Sequence, residues 1–60
     1  MTIREIKARA GDLTRRTVYV HLDGGVSARL LSIGRQYLRV MRGNGQIRQI
    51  VAADVQAISD

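Results

Sequence analysis

The sequence predicts a small, mainly β domain, in which a short N-terminal helix precedes five short antiparallel strands bent into a barrel. Three observations carry this expectation. Apolar residues recur at helical spacing only within the first ten positions. From Thr17 onward they alternate with polar residues at a period of two. The alternating segments are separated by tight-turn compositions: Asp23-Gly24-Gly25, Gly34-Arg35-Gln36, Gly43-Asn44-Gly45 and Ala52-Ala53-Asp54.

Thr2-Ile3-Arg4-Glu5 has the form of a capping box, so a helix is expected from about Ile3 to Ala10. Ile3, Ile6 and Ala10 line one side, Arg4, Lys7 and Arg9 lie mostly on the other, and Gly11 is suited to end it. The apolar side needs cover, expected at the open end of the barrel, with Leu13 joining through a turn at Asp12. The barrel is expected over about residues 17–59. Val18, Val20 and Leu22 alternate with Tyr19 and His21 in a first strand, which the Asp-Gly pair turns into a second. There Val26, Ala28 and Leu30 share one parity, but Leu31 and Ile33 fall on the other. Such a phase change suits a long, strongly bent strand. Tyr37 to Arg42 is the third strand, with Leu38 and Val40 on one face and Tyr37, Arg39 and Met41 on the other. Gln46 to Val51 and Val55 to Ile58 complete the set. Closure into an SH3-like barrel would hide the edges of strands this short. A three-stranded sheet with a helix on one face is the fallback.

Sixty residues make one domain, 1–60, with a modest core. The chain has no Cys, a single His and no carboxylates at metal-ligand spacing, so disulfides, a metal and other cofactors are not expected. Self-association remains as the route to further burial. No apolar run approaches a membrane span, and no secretory signal stands at the start, so a cytoplasmic protein is expected. Ten basic residues, nine of them Arg, against five acidic give a net charge of +5. Between Gly24 and Ala53 there is no acid, while Arg29, Arg35, Arg39, Arg42 and Arg48 all fall there. That balance points to an anionic partner: RNA, DNA or an acidic protein face.

The stretch from Val18 to Ile58 resembles the Sm-like family, and its bacterial Hfq branch in particular. The resemblance rests on Leu22-Asp23-Gly24 at the first turn, the bent strand Val26 to Ile33, and the turn Gly34-Arg35-Gln36-Tyr37. Leu38-Arg39-Val40-Met41 follows without a gap, and Asp54-Val55-Gln56-Ala57-Ile58 matches the closing strand. Gln36-Tyr37 matches the Gln-aromatic pair on which Hfq-type proteins stack a base. The chain departs from the family at Gly34-Arg35, where an aromatic-Asp pair is usual, and at Val51-Ala52-Ala53, where Hfq proteins carry Tyr-Lys-His. The resemblance implies RNA binding and a ring of six or seven subunits, joined through the fourth strand of one and the fifth of the next.

Tyr37 is the sharpest single candidate, because a tyrosine flanked by Arg35, Gln36 and Arg39 can stack a base while guanidinium groups hold phosphate. Arg29, Arg39, Arg42 and Arg48 form the expected electrostatic footprint, with Arg42 on the opposite strand face from Arg39. Arg4, Lys7, Arg9, Arg15 and Arg16 offer a second basic surface or a solvated one. His21 has no nucleophile and orienting partner, Glu5 is a cap, and the glycines do not spell a phosphate loop; catalysis is not expected. The expected function is RNA binding, or single-stranded DNA binding, by a ring-shaped homo-oligomer. The rival is a structural or protein-interaction barrel without nucleic acid. A duplex-DNA regulator is a weaker third.

Overall fold

A computed structural model describes residues 1–60. Helix α1 spans Ile3–Ala10 and the strands are β1 (Tyr19–Leu22), β2 (Ser27–Ile33), β3 (Tyr37–Met41), β4 (Ile47–Val51) and β5 (Val55–Ser59). They form one antiparallel sheet in the order β4-β3-β2-β1-β5. No helix is long and apolar enough to cross a membrane.

The helix begins as its sequence requires. The Thr2 hydroxyl accepts from the Glu5 N–H at 3.1 Å, and the Thr2 N–H donates to Glu5 Oε1 at 3.0 Å. Two otherwise orphaned donors are thereby satisfied. At the other end, Arg16 donates from Nη1 to the carbonyls of Arg9 (3.3 Å) and Ala10 (3.2 Å) while pairing with Asp60. A cation on the last carbonyls of a helix favours its negative end. The same residue ties that end to the chain leaving β5. Ile6 and Ala10 are fully buried and α1 packs against β5. Leu13 reaches the core through a turn in which Asp12 Oδ1 accepts from the N–H and hydroxyl of Thr14.

These hydrogen bonds leave a mark on titration. Bonds from the Thr2 backbone and side chain hold the Glu5 carboxyl below its ordinary range, and bonds from Thr14 do the same for Asp12. A lowered folded-state pKa adds stability above the unfolded value, which is lost as pH falls through the folded one. Acidification through and below the carboxylate range is therefore expected to loosen α1, read as loss of helical circular dichroism. Glu5→Gln should blunt that pH dependence; an unchanged profile would exclude the cap as its source.

The core is Val18, Val20, Ala28, Leu30, Leu38, Val40, Ala52 and Val55 with the two helix residues. Strand parity accounts for this set. The change of phase in β2 is a bulge, the register against β3 slipping between Leu30 and Ser32. Leu30 pairs with Val40 and Ile33 with Leu38, so both keep their apolar side inward although they differ in parity. Val26, expected inside on the parity of Ala28, is instead 37% exposed, because it precedes β2 and belongs to the turn.

The expected closed barrel is corrected. β4 and β5 are not hydrogen-bonded to each other, and both remain edges of an open, five-stranded sheet. The reason lies in β4. The two positions it turns toward the core side are Arg48, opposite Val40, and Ile50, opposite Leu38; only Ile50 is even half-buried. With one apolar side chain to contribute, β4 gains little by folding over onto β5. Five paired strands equally exclude the three-stranded fallback.

Candidate nucleic-acid interface

The register places the candidate residues. On the face away from the core, Ser59, Tyr19, Arg29, Met41 and Ile47 form one row of direct neighbours across all five strands. Ser32, Arg39 and Gln49 form a second row, and Tyr37 faces Val51 in a third. No acidic residue stands in any strand: Asp23 and Asp54 lie in turns, Glu5 and Asp12 at or beyond the helix, and Asp60 at the Arg16 pair. The outer face is therefore basic, apolar and aromatic without a carboxylate.

Tyr37 opens β3 and is 47% exposed. Its position depends on Gly34. The Gly34 N–H donates to the Tyr37 carbonyl at 2.8 Å, and a side chain at Gly34 would meet that same oxygen at 3.0 Å. A Cβ there would crowd that oxygen, so glycine lets the turn close without a shift of its backbone. The result is a shallow cleft of about 370 Å³ lined by Ser32, Gly34, Arg35, Gln36, Tyr37, Leu38, Arg39 and Gln49.

Of the seven sequence candidates, four are brought together there: Arg35, Gln36, Tyr37 and Arg39. Arg29 lies on the same face but lines a different cleft, beside Tyr19 and Met41 and bordered by Arg42. Arg42 and Arg48 meet in a third, of about 330 Å³, with Leu22, Asp23, Val26 and Ile50. That cleft opens at the unclosed side of the sheet and includes an acid, so these two arginines do not belong to the Tyr37 group. None of the five arginines has a carboxylate partner. The ion pairs present are Arg15 with Asp12 at 3.7 Å and Arg16 with Asp60. Unpaired guanidinium groups on an acid-free face keep their full field for an incoming anion.

Gln49 is the residue that sequence reasoning missed. It enters the Tyr37 cleft because the β3–β4 register sets it opposite Arg39. Counting outward from the Gly43-Asn44-Gly45 turn as a hairpin reaches the same pairing. His21 is half-buried and its Nε2 lies 2.7 Å from Ser59 Oγ, a link between β1 and β5. Comparison with protein-family models, curated proteins and solved structures gives no match.

Proposed function

We propose that this chain is a cytoplasmic, Sm-like nucleic-acid-binding module that holds single-stranded RNA on the outer face of its sheet. The observation that carries the reading is the Tyr37 cleft, in which a half-exposed ring stands among Arg35, Arg39, Gln36 and Gln49 with no acid nearby. The ring offers a face on which any base can stack. The guanidinium groups bind phosphate in two-pronged fashion, and the amides can both donate to and accept from a base edge. Stacking and phosphate neutralisation tolerate many sequences, so discrimination among them is modest. It is a binding module rather than an enzyme.

The free edges of β4 and β5 support the second part of the reading, that copies pair edge to edge into a ring of six or seven. Exposed Ile47 and Val51 on β4 favour the rival, a small β domain that meets only protein; edge pairing between copies accounts for both residues without a foreign partner.

The test is a titration of a labelled single-stranded ribo-oligonucleotide at two salt concentrations. Contacts from Arg35 and Arg39 to about two phosphates predict that affinity falls roughly 5- to 10-fold between ~50 and ~200 mM salt. Tyr37→Ala should cost about 1–3 kcal/mol. Affinity indifferent to salt, or no RNA binding, refutes the reading. Preference for duplex in competition would transfer the protein to the duplex-DNA regulators.

A further inference from the structure

The outer face holds a second cleft of the same chemistry. Tyr19, 41% exposed, forms one wall; Met41 is its half-buried apolar neighbour; Arg29 supplies one cation and Arg42, which also borders the Asp23 cleft, a second. Gly43 and Gly45 form its far rim, where Gly45 takes φ +85° and a side chain would be strained. The volume is about 380 Å³, close to the 370 Å³ of the Tyr37 cleft. Each cleft thus combines one half-exposed tyrosine, two arginines without a carboxylate partner and a turn glycine, with no acid in its own lining.

We propose that the Tyr19–Arg29–Arg42 cleft is a second nucleobase-and-phosphate site, occupied by the same single strand that Tyr37 engages. This rests on the RNA-binding reading above and extends it to a part of the face that reading does not use. The geometry sets the spacing. Tyr19 stands opposite Arg29, and Arg29 opposite Met41, which is four residues along β3 from Tyr37. Two strand spacings across and four residues along separate the tyrosines by about 16 Å. That is about five nucleotides at the ~3.4 Å rise of a stacked strand, and fewer when it is extended. The midpoint of that diagonal falls on β2 near Ser32, and Arg39, directly opposite Ser32 on β3, stands beside the line and can hold the phosphates between. The strand therefore crosses β3, β2 and β1 obliquely instead of following one strand of the sheet.

The experiment compares Tyr19→Ala, Tyr37→Ala and Arg29→Gln on two probes, a ribodinucleotide and a single strand of roughly eight nucleotides, by fluorescence anisotropy. On the longer probe each tyrosine substitution is expected to weaken binding about 5- to 100-fold, a stacked base at each ring. The dinucleotide fills one cleft at a time, so a single tyrosine substitution should weaken it by no more than about twofold. Circular dichroism checks folding, and Tyr19→Phe, which keeps the stacking ring, should bind as the parent does. Loss with Tyr37→Ala but none with Tyr19→Ala or Arg29→Gln overturns the second site and leaves the Tyr37 reading standing. Loss with Tyr19→Ala alone removes Tyr37 from binding and overturns a strand shared between the two clefts. Equal loss on both probes argues against two separated sites. No binding of either probe by the parent protein sinks both readings.

Discussion

Replacing Leu38 by alanine is expected to leave much of the chain unfolded. Leu38 is fully buried in the middle strand of the β4-β3-β2 half of the sheet, between Ile33 on one side and Ile50 on the other. Truncating a buried leucine removes its transfer energy and leaves a cavity that the neighbours fill only in part, at a cost of about 2–5 kcal/mol. A domain of this length rarely has more than roughly 3–5 kcal/mol in total. The two quantities are of one size, so a single substitution consumes most of the folding energy. Urea unfolding followed by circular dichroism reads the effect, with the protein dilute so that self-association adds little by mass action. Tyr37→Ala serves as the comparison, since nearly half of that side chain is already in water. A loss below about 1 kcal/mol for Leu38→Ala would contradict its place in a close-packed core.

The second large effect concerns the proposed assembly. Placing lysine at both Ile47 and Val51 is expected to convert the proposed ring to monomer. Both residues lie on β4, whose far side has no partner strand, and they are 59% and 39% exposed. A lysine on an edge strand is a device by which sheets avoid pairing, because strand addition would bring the charges against apolar neighbours and out of water. Two such charges per copy act at every junction of a ring at once, so the loss is of the whole assembly. Mass measurement in solution decides it: six or seven copies for the parent chain and one for the double variant. A parent that is monomeric at all concentrations would remove the ring. A variant that stays oligomeric would place the contact elsewhere than β4. Binding of RNA should weaken together with assembly, since a strand held at several clefts gains from their linkage.

Much of this architecture was legible in the chain because it is set by near neighbours. Thr2 and Glu5 announce the helix start through bonds three residues apart, and the period of two assigns Val18, Val20, Leu38 and Val40 to the core. The conflict of parity between Leu30 and Ile33 was visible too, as the sign of a strong bend; the register shows it to be a bulge. Barrel closure was not legible. Alternation tells which side of a strand is apolar, but whether two edges meet depends on how much apolar surface each has left to cover. At β4 that balance turns on a single position, where Arg48 stands in place of an aliphatic residue.

The candidate site divides in the same manner. The residues of the Gly34–Arg39 segment could be grouped from sequence because a tight turn keeps them close whatever the rest of the molecule does. Arg48, equally basic, falls away into another cleft, Arg42 borders both that cleft and the Tyr19 one, and Gln49 and Tyr19 join the outer face from other strands. Taken alone, the chain determined its elements, the side of each strand that faces inward, and an acid-free stretch of five arginines. Tertiary structure decided which of those arginines share a surface with a tyrosine and which edges stay open. The physical reason is that a residue's side of the sheet follows from its own strand, whereas its neighbours across the sheet follow from hydrogen-bond register, which turns and bulges set from a distance.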